Sequence, residues 1–593
     1  MNSFVKNFFS SALGSLVGVF VALFFAFIVL PLAFTALLAG AKGGRTTDLK
    51  TNSILHLKLR GQIVEKHRPL DFEIFGERSI FTEDRTMGLY ELNKAIAHAK
   101  TDKKIAGIFL EIHDFDAGWA AVTSLRRSLD DFAKGGKWIQ AYADRLDEKG
   151  FLLASAANQI SMEPHGELEF NGLEITEAFL KGLLDKLDLE PRIFRVGKFK
   201  AAVEPITRSD MSPENKEQTQ ALVGDLWQTT RDSVAKSLKL EGQRLDDIAA
   251  KLEVTSAESA QKAGLIHKTA FIDEVEDKMK EFTVGKDKEL ELVSPGAFLR
   301  TVAEQSSKSG KKVAVIFAEG EIGKGESGRD HIGSEGLREE IIAAREDEDV
   351  QAIVLRINSP GGDALASDVL WREVRMTDDE LPVVISMGDY AASGGYYIAA
   401  GGRYIFAEPT TITGSIGVFG IMFGTEKFLK TRTGVNFDRV VTHPYADIGA
   451  FTRPMSPFES QKIQAEVDRV YKRFLDVVEE GRGYEKRKDL ETIAEGRVWS
   501  GLRAKEIGLV DELGGLDQAI KKAAEFAELG EDYEVELVPG DEDPLRQLLE
   551  KMTGEALISY FGPSVEKVKE LTGAIEPLKS GVHARLLKEM RIR

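Results

Sequence analysis

The chain has 593 residues, a formal net charge of −18 and no cysteine. The missing cysteines exclude disulfides, thiolate nucleophiles and cysteine-held zinc. The acidic balance, with no basic block longer than a few residues, argues against a nucleic-acid partner, and the length is enough for two or three domains with sizeable cores.

In chain order, the first feature is an uncharged apolar run over residues 13–39. About twenty apolar residues cross a bilayer core, so this run predicts a membrane-spanning helix, kinked at Pro31. A cleaved signal peptide is the competing reading, but the run is too long for an ordinary signal core, which favours a retained anchor over residues 1–45. Lys6 precedes the run, and Lys42, Arg45 and Lys50 follow it, offset by Asp48. The positive-inside rule therefore leaves the orientation open.

Residues 42–52 read as a linker. Strands are predicted at 54–59, 105–112 and 138–142, separated by helical patterns, and a second series follows at 311–317, 350–357 and 382–386. Alternating strands and helices indicate βαβ units around a mainly parallel sheet, and the near-continuous apolar runs indicate strands covered on both faces. The two series are copies. Residues 105–118 match 350–363, and 144–160 match 389–405, both at an offset of 245. Residues 195–205 match 439–449, and Gly264 matches Gly508, at an offset of 244. Each first strand runs into a similar turn, Gly61-Gln62-Ile63 and Gly320-Glu321-Ile322. The first repeat is placed at 46–290 and the second at 311–540, with the charged, Ser/Gly/Lys-rich stretch 284–310 as the joint. Residues 541–593 read as a helical extension without a counterpart, either a capping or oligomerisation helix or a loosely docked tail.

The copies differ where chemistry would occur. Ser393, followed by Gly394 and Gly395, faces Glu148 of the first copy, whereas Lys200 of the first copy faces Pro444 of the second. One composite site is the simplest reading. Ser393 lies between a predicted strand and a predicted helix, where unpaired backbone N–H groups and the helix dipole favour negative charge; a plain N-cap is the bland alternative. The turn Asn358-Ser359-Pro360-Gly361-Gly362 also follows a strand, and Pro-Gly-Gly can aim N–H groups into a concave nest. Acyl transfer needs oxyanion donors from two segments; Gly394 is one candidate, and Gly361 or Gly362 the other. No histidine stands in a recognisable triad, and His443 sits in a loop-like stretch. A lysine can serve as the base if burial exposes its neutral amine. Lys200 is the candidate, flanked by apolar residues, with Lys198 on the wrong alternation and Glu204 close enough to oppose if it turned inward.

The motifs AASGGYY, SPGGD, PTTITGSIGV, RVGKFKAAVEP and GRVWSGLRAKEIGLVDELGG together resemble the signal peptide peptidase A (protease IV) family of the crotonase/Clp-protease superfamily. The resemblance covers nearly everything after the anchor. It implies an α/β fold of two tandem crotonase/Clp-protease-like repeats behind an N-terminal transmembrane helix, and a serine endopeptidase with a Ser/Lys dyad. The serine falls on Ser393, the lysine on Lys200, and a serine that orients the lysine on Ser415. It also implies no cofactor or metal, apolar peptides such as cleaved signal peptides as substrates, a homo-oligomer (a tetramer), and a bacterial inner-membrane location with the body on the periplasmic side. Asp389 stands where small or apolar residues are frequent in this family. A crotonase-like acyl-CoA enzyme and a non-catalytic membrane scaffold are the alternatives. Extended substrate is expected to add as a strand along a groove lined by Tyr396, Tyr397, Val418 and Phe419, with activity rising through a lysine-like titration rather than the histidine value near 6.5.

Overall fold

The computed structural model describes residues 49–66, 86–303, 310–328, 330–484, 486–538 and the backbone of 581–585. The expected anchor lies outside the described residues, and among those described no helix is long and apolar enough to cross a membrane.

The first repeat runs β1 (Ser53–Val64), α1 (Leu89–Thr101), β2 (Ile105–Asp116), α2 (Trp119–Lys134), β3 (Trp138–Leu146), α3 (Glu148–Ala154) and β4 (Gln159–Leu168), followed by β5 (Glu190–Val196) and the long helix α4 (Pro213–Leu238). Strands β1, β2, β3 and β4 are hydrogen-bonded neighbours in that order, all parallel, with Leu55 opposite Ile108, Ile108 opposite Ile139 and Ala141 opposite Ile160. Phe109 and Leu110 are consecutive, so they point to opposite faces, and both are fully buried. Helices thus cover the sheet on both sides, which is why the strand reads as a continuous apolar run.

The second repeat repeats the plan with β6 (Lys312–Glu319), β7 (Val350–Ser359), β8 (Gly361–Asp363), α5 (Ala364–Glu380), β9 (Val383–Ala392), α6 (Gly394–Ala399), β10 (Val418–Gly424) and β11 (Glu534–Val538). The parallel order here is β9, β7, β6, β11. A third, smaller sheet joins the repeats: β8, then β12 (Gly581–Arg585), then β10, then β5 of the first repeat.

The described part of the joint, to residue 303, is ordered onto the first repeat: Leu292–Val293 pairs with β1 and Pro295–Ala303 is a helix whose Phe298 is fully buried in the first core. Apolar residues within a charged stretch sufficed to fold it. The described part of the extension, β12, is a strand rather than a helix, held by backbone pairing to β8 and β10; the rest of 541–593 lies outside the described residues.

The repeats meet along a seam with buried charge. Arg356 makes two bonds to Glu65, 2.9 and 3.0 Å, and both residues are almost fully buried. Nη1 of Arg127 lies 2.5 and 2.7 Å from the two carboxylate oxygens of buried Glu408, and Nη2 reaches Asp517 at 3.0 Å. Asp389, on β9, caps α2 of the other repeat by accepting from the N–H groups of Ala120 (2.7 Å) and Ala121 (3.1 Å). A Cβ on Gly118 would fall 1.9 Å from Cγ of Asp389, so only glycine fits there. Burying ions is costly unless each is paired and hydrogen-bonded. Removing one partner should therefore be far worse than removing both. We expect Glu65→Ala to lower unfolding stability by about 3–5 kcal/mol, read from the urea midpoint, with Arg356→Met in the same chain recovering most of the loss.

Candidate active site

Strand β5 delivers the lysine. It pairs antiparallel with β10, and the chain then turns at Gly197 (φ +103°), where a Cβ would meet the Glu495 carbonyl at 2.3 Å. The N–H of Phe199 donates to that carbonyl at 3.0 Å, and the Gln218 amide of α4 donates to the Phe199 carbonyl at 3.0 Å. The turn is thereby pressed onto the second repeat, and Lys200 enters it at 1 % exposure. Gly496 backs the lysine, and a Cβ there would lie 2.6 Å from that of Lys200. Lys198 points out at 59 % side-chain exposure to Glu495; strand alternation would put it on the same face as Lys200, and it is the turn after β5 that separates the two.

Strand β9 delivers the serine. Ser393 is fully buried, at φ 55° and ψ −114°. This left-handed backbone is unusual for a residue with a Cβ and costs of order 1–3 kcal/mol. It is held by the Ser393 N–H donating to the Gly414 carbonyl (2.8 Å) and by the Tyr397 N–H donating to the Ser393 carbonyl (2.9 Å). Ser415 is held similarly, at φ 50°, its N–H donating to the Arg497 carbonyl at 2.7 Å.

These paths bring the three residues together. Nζ of Lys200 lies 2.7 Å from Oγ of Ser393 and 3.0 Å from both the carbonyl and Oγ of Ser415. A neutral amine has two hydrogens and one lone pair. The Ser415 carbonyl can only accept, and Ser415 Oγ can direct its own hydrogen to the Gly496 carbonyl at 3.4 Å. Both amine hydrogens can then be spent on Ser415, which leaves the lone pair facing the Ser393 hydroxyl. Desolvation holds the lysine well below its ordinary value, at about 7. Glu204 does not oppose this: it is buried, but its carboxylate accepts from the Ser212 N–H at 3.0 Å.

The glycine-rich turn packs near α6, since a Cβ on Gly395 would sit 2.9 Å from the Ser359 carbonyl. The Gly361 N–H donates to Ser359 Oγ at 3.1 Å, and Gly362 lies opposite Ile322, where a Cβ would strike the Ile322 carbonyl. Tyr396 and Tyr397 do not line a groove. Both are core residues, their hydroxyls donating to the Leu509 carbonyl (2.9 Å) and to Asp368 (2.6 Å). Residues of α6 follow a helical period, so they enter the core beneath the serine. Val418 and Phe419 belong to β10, and Phe419 is opposite His583 of β12. His443 is exposed, with the Thr442 hydroxyl as its partner at 3.1 Å. In the first repeat Glu148, opposite the serine position, accepts from the N–H groups of Asn171 (3.0 Å) and Gly172 (3.2 Å).

A cavity of about 1590 Å³ opens between the repeats, lined among others by Trp119, Lys149, Lys200, Asp389, Tyr390 and Ser415. Burial, followed by the charge of Glu65, raises the Asp389 carboxyl to about 6. Sequence reasoning missed the supporting parts: Gly118, Gly496 and the seam ion pairs. Their signals were single glycines and isolated charges, each unremarkable until the partner repeat is in place.

Comparison with known proteins agrees with this architecture. Peptidase family S49 matches residues 131–285 and again 375–530. Protease 4 of Salmonella typhi is 35% identical over 90% of this chain and 87% of its own length. The chloroplastic serine protease SPPA of Arabidopsis thaliana is 33% identical over 91% and 78%. Among solved structures, a ClpP1 mutant from Listeria monocytogenes covers 35% of this chain and 94% of its own at 16% identity, with a TM-score of 0.24, too low to argue from. A serine protease acting on peptides is thus the class that the family match and the relatives define, and the chain belongs to peptidase family S49.

A buried lysine near 7 has a cost with a definite pH signature. Below about 7 it is protonated in both states, and the fold bears the full desolvation penalty. Between there and its unfolded value, the unfolded chain binds a proton that the folded chain does not, so stability rises with pH. Lys200→Met should therefore stabilise the protein near pH 6, by up to about 5 kcal/mol at about 1.36 kcal/mol per pH unit. The gain should shrink towards zero as pH rises through the lysine range, as measured by urea melts across pH.

Proposed function

We propose that this chain is a membrane-anchored serine endopeptidase in which Lys200, from the repeat at 46–290, activates Ser393, from the repeat at 311–540. In its neutral form Lys200 takes the Ser393 proton as Oγ attacks a peptide carbonyl. The N–H of Gly394, with that of Gly361 or Gly362, receives the developing oxyanion. If Gly361 serves, its N–H must first leave Ser359. The lysine ammonium then protonates the departing amine, the acyl-enzyme forms, and water attacks it with Lys200 again as base. Ser415 is the positioning residue that keeps the amine turned to Ser393.

The observation that carries this reading is the buried 2.7 Å contact between the lysine amine and the serine hydroxyl, where desolvation lowers the amine's affinity for a proton and, among the described residues, no carboxylate pairs with it to hold it charged. Substrate is proposed to lie extended between β8 and β10. Support comes from β12, an antiparallel strand that already pairs with both edges. We propose apolar peptides such as signal-peptide remnants as substrates, residues 13–39 as the anchor, the bacterial inner membrane with the body on its periplasmic side as the location, and a homo-oligomer, a tetramer by family resemblance, as the working form.

Activity should rise with pH through about 7, because the lysine is protonated below that value and cannot accept a proton. Burial thus brings a lysine so close to the histidine range that a pH profile alone does not separate the two bases. Substitution does. Lys200→Ala and Lys200→Arg should each abolish peptide turnover, since guanidinium stays protonated, while His443→Ala should leave it intact. A serine-reactive probe read by mass spectrometry should label the peptide containing Ser393 alone. Wild-type turnover in Lys200→Ala, or labelling that survives Ser393→Ala, would remove the dyad.

A further inference from the structure

In the first repeat the nucleophile position, Glu148, is structural, but the position beside it carries a charge. At the offset of 245, Gly394 corresponds to Lys149, and Gly361 and Gly362 correspond to Asp116 and Ala117. Where Gly394 is proposed to donate to an oxyanion, the first repeat therefore holds an amine. Nζ of Lys149 donates to the Ala117 carbonyl at 2.7 Å and lies 5.4 Å from the centroid of the Trp119 ring. A lysine ammonium has three hydrogens, and the Ala117 carbonyl takes one. Among the described residues no carboxylate pairs with Lys149.

Trp119 supplies a second, independent donor. It opens α2, is 6 % exposed, and its indole N–H is buried without a hydrogen-bond partner. Buried polar groups are nearly always satisfied, so an exception calls for an explanation. Lys149 and Trp119 line the same cavity between the repeats as Lys200 and Ser415. Ile175, Ile206, Met211 and Ile412 also line it, a surface suited to an apolar chain. Of the carboxylates there, Glu65 is taken by Arg356 and Asp389 by two backbone N–H groups, while Asp116 and Glu174 are exposed, where water and salt screen them.

We propose that Lys149 and Trp119 form a subsite for the free α-carboxylate of an apolar peptide whose body lies along the cavity towards Lys200 and Ser393. A carboxylate has two acceptor oxygens, one for the amine and one for the indole N–H, and a bond between charged partners is the stronger kind. The first repeat thus keeps an anion-binding role at the position of its lost oxyanion donor, and uses it to hold the end of the substrate rather than a transition state. An internal stretch of an intact protein has no such carboxylate and loses the contact. The inference rests on the peptidase reading above and names the substrate class that the site favours, apolar peptides with a free carboxyl end close to the bond that is cut.

The test compares two apolar peptides of one sequence, one ending in a free carboxylate and the other in an amide. Binding is read by fluorescence anisotropy on the full chain carrying Ser393→Ala, so it reports on the subsite whether or not the chain is a peptidase. The free acid should bind roughly tenfold more tightly than the amide, the worth of one hydrogen bond to a charged group. Lys149→Gln should bring the acid down to the level of the amide, and Lys149→Arg should keep most of the preference. Trp119→Phe, which removes the indole N–H, should weaken the acid several-fold more than the amide. Equal binding of acid and amide to the Ser393→Ala chain, a comparison that alters nothing at the subsite, overturns the proposal, as does a preference that survives Lys149→Gln. Peptide turnover and serine-probe labelling of the wild-type chain report on the peptidase reading separately.

Discussion

The structure turns on the removal of water from one lysine amine. A solvated lysine is protonated at neutral pH and is useless as a base, and here it is enclosure that lowers its affinity for the proton. Neither repeat could enclose Lys200 alone. The first repeat presents it on a turn after an edge strand; the second closes over it with Gly496, Ser415 and Phe419, the ring centroid of Phe419 lying 5.9 Å from the amine. The candidate site is therefore a property of the contact between repeats, and the seam has to be both dry and rigid.

That requirement explains the charge buried along the seam. Arg356 with Glu65 and Arg127 with Glu408 are two-point contacts across the repeats, and Asp389 meets two backbone N–H groups rather than a flexible side chain. Such groups add little net stability over apolar substitutes, but they penalise any misaligned docking heavily, because a shift would leave ions unpaired in a low dielectric. Asp389 has a role on this basis. It lies on the strand that leads to Ser393 and ties that strand to the first helix of the other repeat.

The two copies differ at the candidate site. Where the first copy has Glu148, the carboxylate is turned to the N–H groups of Asn171 and Gly172, so the position has become structural. The second copy keeps its strained serines, Ser393 and Ser415, both with positive φ. Strain and a desolvated cation are both destabilising, and both are concentrated within a few ångströms of the candidate nucleophile. The large cores on either side offset them.

Much of this was readable in the residues alone. The repeat, the parallel α/β plan and the candidacy of Ser393 and Lys200 follow from apolar periodicity, a constant offset and short motifs, all of which depend on local chain order, whereas Ser415 came from the family resemblance alone. Tyr396 and Tyr397 were misjudged because periodicity gives a face but not what covers it. Sequence by itself determined which residues could do the chemistry. Only the tertiary structure decided that they meet within one chain, that Lys200 is dry, and that Gly118, Gly496, Glu65 and Asp389 lie along the seam, because each of these facts depends on atoms from two segments far apart in the chain.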